Sequence, residues 1–460
     1  MRHFLFCHGF GFDKTFWRNL APYFKDKKVS MLNLGYFGQK QHIDVAPNEE
    51  IIAIGHSLGF IKLLSLYPRI NYLVGLNGFR NFLGFNEVLY NKRWKELSLL
   101  KNGFIKNPEI SLKNFYKNCG AIKLIKELDF EQMQLNYFIE DLAILKNKFE
   151  INTVCKTLII GAQNDIIVPP ALLKDNFSNS PNSKIVILPK GEHMLGFTQS
   201  KTIFEEIMNF INANETIKIQ KRFNKASKSY DNVSGVQKKS ALFLCDKIIQ
   251  NTNKAPNSIL DCGAGTGGVT EILLKYFPSS SYCLNDISPR MIEECKHKFM
   301  YNKNINFIND NMINLDNSTY DYVVSNLALQ WLPNLQKALK FLAKKSNYMF
   351  AFSTLLPGTF KQWFDLVHKY QYIEPLKYIE EEDIIEYCQK EAGNFLHWRL
   401  DIDLNFSNIY KFLLYLRALG ASATNRGMSP ASLRKMLQNE KQEITVTYKI
   451  FFGLLIKDSI

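Results

Sequence analysis

Two short stretches of this chain place reactive or ligand-contacting groups in tight turns. In Gly55-His56-Ser57-Leu58-Gly59 a serine follows the apolar run Ile51–Ile54 and precedes a helical stretch that begins at Phe60. A strand that turns sharply into a helix is what a nucleophilic serine requires, because small flanking residues let the backbone bend and expose the hydroxyl. In Leu260-Asp261-Cys262-Gly263-Ala264-Gly265-Thr266-Gly267 closely spaced glycines follow another apolar run. Backbone without side chains lets a ligand approach closely. The first stretch suits attack on an acyl carbonyl, the second the binding of a nucleotide-containing ligand.

A serine alone is a weak nucleophile and needs a histidine base with an orienting carboxylate, here expected in the chain order Ser, Asp, His. Asp165 ends Gly161-Ala162-Gln163-Asn164-Asp165 after the apolar run Thr157–Ile160, and His193 lies in Gly191-Glu192-His193-Met194 after Lys184–Leu188. Glu192 is a competing acid, but Asp165 has the better chain position. His56 reads as a packed residue of the turn. In His8-Gly9-Phe10-Gly11 the backbone of Phe10 is placed to supply one oxyanion N–H, with Leu58 supplying the other.

The neighbours of the glycine stretch decide its ligand. Asp261 precedes the glycines, the next run ends at Asn285-Asp286, and the following one at Asn309-Asp310. An acidic residue roughly 20 positions beyond the glycines is placed to accept ribose hydroxyls. A nicotinamide dinucleotide is the competing ligand, but an acid ahead of the first glycine and a β-rich C-terminal segment suit it less well.

Short β-branched or apolar runs alternate with helical stretches throughout, which implies α/β architecture with parallel sheets. In the first part the strands are expected at His3–Cys7, Val29–Leu34, Ile51–Ile54, Tyr72–Leu76, Thr157–Ile160 and Lys184–Leu188. Between about 82 and 150 the rhythm gives way to aromatic-rich helical segments, the expected place for a cap. The polar segment Asn212–Thr216 is the expected boundary, a helix end followed by a short linker. Domains are therefore expected at 1–213 and 218–460. The second series runs through Ser258–Leu260, Ser281–Asn285, Ile305–Ile308, Tyr320–Ser325 and Tyr348–Ser353, and closes at Glu443–Leu455.

With 460 residues the chain suggests two or three domains. Hydrophobic residues make up 46% and charged residues 22%, a globular balance. No apolar run approaches the roughly 18 residues needed to span a bilayer, so no membrane association is expected. Met1–Phe6 is read as a buried strand, not a secretory signal. The 8 cysteines have no paired spacing that would make a zinc site or a disulfide framework, which points to a reducing cytoplasm and no metal. Net charge is +14, divided evenly between the two parts. The absence of an arginine-rich block argues against nucleic acid, while an acidic protein partner is compatible.

The first part resembles the α/β-hydrolase fold, and within it the small esterases that act on pimeloyl-[acyl-carrier protein] methyl ester in biotin synthesis. The resemblance implies Ser57 as nucleophile, His193 as general base and Asp165 as its orienter; Phe60 departs from the small residue those esterases often carry. The second part resembles the class I S-adenosylmethionine-dependent methyltransferases. By that resemblance Asp261, Gly263 and Gly265 would contact the methionine and ribose portion, Asp286 the ribose hydroxyls, and Asp310 with Asn311 the adenine. The stretches Arg222–Asp231 with Gln237, Ser325–Trp331 and Ala351–Thr359 look like the malonyl-[acyl-carrier protein] O-methyltransferase of biotin synthesis. They imply Tyr230 and Gln237 near a cofactor lid and Trp331 at the acceptor pocket.

The joint expectation is a bifunctional enzyme that methylates the carboxylate of a malonyl group on acyl carrier protein and later hydrolyses the methyl ester of the pimeloyl form. The alternative is a fused enzyme acting on free small carboxylic acids and their esters. A non-enzymatic scaffold with relic motifs is the third reading. Arg80, Lys92 and Arg93, near the expected cap, are candidates for docking the acidic carrier.

Overall fold

In the computed structural model, the described residues are 2–457 apart from 47–48, 153–154, 181, 374, 376–377, 392–393 and 422–427. The chain divides into two units, Met1–Ala213 and Asn214–Ile460.

The first unit is built on β1 (Arg2–Cys7), β2 (Lys28–Leu32), β3 (Glu50–His56), β4 (Tyr72–Leu76), β5 (Lys156–Ala162) and β6 (Ser183–Leu188). They form a 6-stranded sheet in the order β2-β1-β3-β4-β5-β6, with every pair parallel. Its central strands are buried along their length, as the continuous apolar runs Phe4–Cys7, Ile51–Ile54 and Leu73–Leu76 require of a sheet covered on both faces. Helix α1 (Leu58–Leu66) follows β3. Between β4 and β5 stand α2 (Glu87–Lys106), α3 (Pro108–Asn118) and α4 (Leu135–Ile144). Asn86 caps α2 and Asn107 caps α3, each accepting from N–H groups of the first turn, with Pro108 opening α3.

The second unit carries β7 (Ser258–Cys262), β8 (Ser281–Asp286), β9 (Ile305–Asn309), β10 (Tyr320–Asn326), β11 (Ser346–Leu355), β12 (Asn394–Phe406) and β13 (Ile444–Ile456). They make a 7-stranded sheet in the order β12-β13-β11-β10-β7-β8-β9. It is parallel from β11 to β9, whereas β13 pairs antiparallel with both β11 and β12. Alternate residues feed opposite cores: Ile259, Tyr322 and Val324 enter one, while Leu260, Cys262 and Val323 enter the other. All eight cysteines are free and buried. No helix among the described residues is long and apolar enough to cross a membrane.

Two features differ from the sequence reading. The expected helix end and linker at Asn212–Thr216 lie inside one helix, Ser200–Val233. The reason is local: that stretch holds neither glycine nor proline, and its buried residues Ile203, Ile207, Ile211 and Glu215 recur every fourth position. The other is β12, absent from the expected strands. Leu396, Trp398, Leu400, Ile402, Leu404 and Phe406 alternate there with polar residues, and all six pack against one core.

Candidate active sites

The chain leaves β3 through Ser57, which has φ +50° and ψ −118°, a strained conformation for a residue with a side chain. That strain reverses the backbone into α1 within one residue. Gly59 permits the turn, because a Cβ there would lie 2.2 Å from the Cys7 carbonyl oxygen and 2.4 Å from that of His8. Leu58 opens α1, and the first N–H groups of a helix have no partner within it. Ser57, Leu58 and Phe10 line one cavity of about 610 Å³, together with Leu97, Leu100 and Phe115 from α2 and α3. Phe10 is fixed there by edge contacts to Tyr36, Phe104, Phe115 and Phe138.

Asp165, on the loop after β5, and His193, on the loop after β6, meet at 2.8 Å between Oδ2 and Nδ1, with both side chains fully buried. The other carboxylate oxygen accepts from the N–H groups of Ile167 at 2.7 Å and Val168 at 2.9 Å. Burial acts to raise the Asp165 pKa, but the charge and hydrogen bond of His193 and the two N–H groups outweigh it and hold the carboxyl below its ordinary value. Since a carboxylate only accepts, the Nδ1 of His193 donates in this bond, so that the neutral form of the imidazole has its lone pair on Nε2. That Nε2 is buried and makes no hydrogen bond. The backbone oxygen of His193 is held by His56 Nε2 at 2.9 Å and Asn77 Nδ2 at 3.0 Å.

The remaining candidates are placed differently. His56 stacks on Phe16 at 4.2 Å, and burial, reinforced by His193, holds its pKa well down, so it is a neutral packing residue. Glu192 turns toward Gly120, where a Cβ would lie 1.8 Å from its Oε2. Arg80 donates to the Asn176 carbonyl at 2.8 Å and covers the Phe85 ring. Lys92 is exposed at the cavity rim. Arg93 is only 4% exposed and bonds inward, so the expectation of a surface docking residue is corrected. Asn77, with φ +51° at the end of β4, was missed by the sequence reading, since an asparagine after an apolar run signals a turn but not its partner.

In the second unit Gly263, Gly265 and Gly267 all have positive φ, and a Cβ on Gly263 would come within 2.4 Å of Ala328. The N–H groups of Gly263 and Ala264 donate to the Asn285 carbonyl at 2.8 and 3.0 Å, and that of Gly265 donates to Asp286 Oδ2 at 2.9 Å. Asp286 Oδ1 accepts from the Ser288 N–H at 2.8 Å. Burial nonetheless pushes the Asp286 carboxyl up to about 6. Asp261 accepts from Thr270 Oγ1 at 2.8 Å, and burial pushes it up to about 7.

Asp286, Gly263, Gly265, Asn311 and Trp331 line one cavity, with Phe223 edge-on to Trp331 at 5.6 Å. A second cavity of about 380 Å³ is lined by Asp261, Gly263 and Gln237, and Tyr230 borders both. Asp310 is exposed and braces its own turn, accepting from the Asn311 N–H at 2.6 Å; Asn311, not Asp310, faces the cavity. Asn285 was missed: its Nδ2 donates to the Asp310 carbonyl at 2.8 Å while its buried Oδ1 has no partner. Two buried carboxylates, an orphaned acceptor and a glycine cradle fit a cationic donor that carries ribose and amine groups. Among the described residues no cluster of metal-ligating side chains occurs.

Comparison with known proteins divides along the same line. A methyltransferase domain family matches residues 260–345. The malonyl-[acyl-carrier protein] O-methyltransferase of Neorickettsia risticii is 30% identical over 236 residues, which cover 51% of this chain and 93% of that protein. The enzyme of the same description from Bacillus cereus is 30% identical over 266 residues, covering 53% of this chain and 98% of its own length. An esterase from Exiguobacterium antarcticum aligns with 46% of this chain and 92% of its own at 11% identity and a TM-score of 0.39, a likeness too low to carry an argument.

Proposed function

The chain belongs, through its second unit, to the malonyl-[acyl-carrier protein] O-methyltransferase family, and from that premise we propose a bifunctional enzyme. Its second unit methylates the malonyl carboxylate on acyl carrier protein, and its first unit hydrolyses the methyl ester of the pimeloyl form. The observations that carry the hydrolytic half are the buried Asp165–His193 pair at 2.8 Å and the strained Ser57 turn, which opens on a cavity of about 610 Å³.

In the first unit Ser57 Oγ attacks the ester carbonyl while His193 Nε2 takes its proton. The N–H groups of Phe10 and Leu58 hold the oxyanion, His193 returns the proton to departing methanol, and water clears the acyl group by the same route. Asp165 keeps its charge throughout and fixes the imidazole.

S-adenosylmethionine, when bound, supplies a methyl group on a positively charged sulfur. Asp286 and Asp261 would hold its ribose and methionine portions, and Asn311 would lie at the adenine. Phe223 and Trp331 keep water from the acceptor side. A carboxylate acceptor is already a nucleophile at neutral pH, so alignment and exclusion of water suffice without a base.

Incubating the full chain with malonyl-carrier and S-adenosylmethionine, and separately with pimeloyl-carrier methyl ester, tests both halves by mass. The expected products are a carrier heavier by one CH2 unit, as a methyl group replaces the acid hydrogen, and one lighter by the same as methanol leaves. Methylation of free malonate as efficient as that of the carrier-bound form would favour action on free acids instead.

A further inference from the structure

Helix α2 turns Arg93, Leu97 and Phe104 inward while Lys92, Trp94 and Lys95 beside them are exposed. An arginine therefore occupies a core position of an amphipathic helix. Burying a guanidinium is costly unless its donors are matched. Arg93 Nε donates to the Phe82 carbonyl at 3.3 Å, Nη1 to Glu96 at 3.2 Å, and Nη2 to the Ile167 carbonyl. The guanidinium also lies 4.1 Å over the Phe82 ring. Glu96 is 45% exposed, so that ion pair contributes little, and the two backbone carbonyls are the partners the fork is fixed upon.

Ile167 lies two residues beyond Asp165, and its N–H donates to Asp165 Oδ1 at 2.7 Å. The residue is thus held from both sides, its N–H by the acid and its carbonyl by Arg93. We propose that Arg93 is a positioning residue for ester hydrolysis: from the α2 helix it clamps the loop that carries Asp165, and through Asp165 it sets the angle of His193. The proposal rests on the reading of Ser57, Asp165 and His193 as a hydrolytic triad. Its function is to fix backbone, which a lysine cannot reproduce, because a single ammonium lacks the planar fork that spans two carbonyls.

The test is steady-state hydrolysis of pimeloyl-carrier methyl ester by the full chain carrying Arg93→Met, Arg93→Ala or Arg93→Lys. A loosened acid loop lowers kcat about 100-fold in Arg93→Met with KM within about threefold, since displacements near 1 Å cost that much. Arg93→Lys falls about tenfold, and millimolar guanidinium ion restores Arg93→Ala at least tenfold but leaves Asp165→Asn unchanged. If Arg93→Met fails to fold, the lysine variant and the guanidinium rescue decide. Unchanged kcat in both Arg93→Met and Arg93→Lys, or a loss confined to KM, overturns the proposal; the second result would make Arg93 a substrate contact. Should the wild-type chain hydrolyse no ester and Ser57 take no fluorophosphonate label, the triad reading fails and the clamp falls with it. Labelled, active wild type beside fully active variants removes the clamp alone.

Discussion

Both units bury carboxylates at their candidate sites, and they treat them in opposite ways. Asp165 is surrounded by permanent counter-groups, a histidine and two backbone N–H groups, and its carboxyl is held below the ordinary value in spite of burial. Asp261 and Asp286 keep only hydroxyl and N–H partners, so burial prevails and raises them to about 7 and about 6. On the proposed function Asp165 would have to stay charged through every step, and the fold supplies its partners itself. Asp286 and Asp261 line cavities that, on the same reading, a cationic donor would fill for part of the cycle, and between visits they would carry the desolvation cost alone.

The contrast can be broken at several points. Asp165→Asn should lower kcat for ester hydrolysis about 10,000-fold with the fold intact, because an amide leaves the imidazole in the wrong tautomer. Retention of more than a hundredth of the activity would show that another group orients His193. Asp286→Asn should weaken S-adenosylmethionine binding about 100-fold, measured by calorimetry, and leave ester hydrolysis unchanged.

The pH dependence follows from the raised values. A cation binds the ionised carboxylates, so affinity should be level above about 7 and fall by up to tenfold per pH unit below it as Asp261 is protonated, then more steeply below about 6 as Asp286 follows. The sign for folding is opposite. Because folding raises both values, these groups favour the ligand-free folded state at acid pH and withdraw that contribution as pH climbs through about 6 and about 7. The rise in Tm on adding S-adenosylmethionine should therefore grow between pH 5.5 and 7.5, and a flat difference would contradict it. The smallest effect belongs to Thr270→Val, which removes the Asp261 hydroxyl partner and should cost about threefold in affinity at neutral pH.

What was legible in the sequence was local or ordered along the chain. The Gly55–Gly59 turn, the glycine stretch after β7 and the order Ser57, Asp165, His193 needed no knowledge of distant packing. What escaped depended on partners far away in sequence. Arg93 reads as a surface cation until α2 turns it onto the carbonyl of Ile167, 74 residues later. Asn285 reads as a strand residue until its carbonyl receives the glycine-loop N–H groups. Asp310 and Asn311 differ by one position, and only the backbone turn decides which faces the cavity. The strand β12 is another matter, since its alternation was present and overlooked.

The most direct measurement assays Ser57→Ala and Asp286→Ala, each in the full chain, for both reactions. Ser57→Ala should lose ester hydrolysis at least a thousandfold and keep methyl transfer within twofold, while Asp286→Ala should do the converse. Loss of both reactions in either folded variant, or loss of neither, would contradict two separate chemistries on one chain.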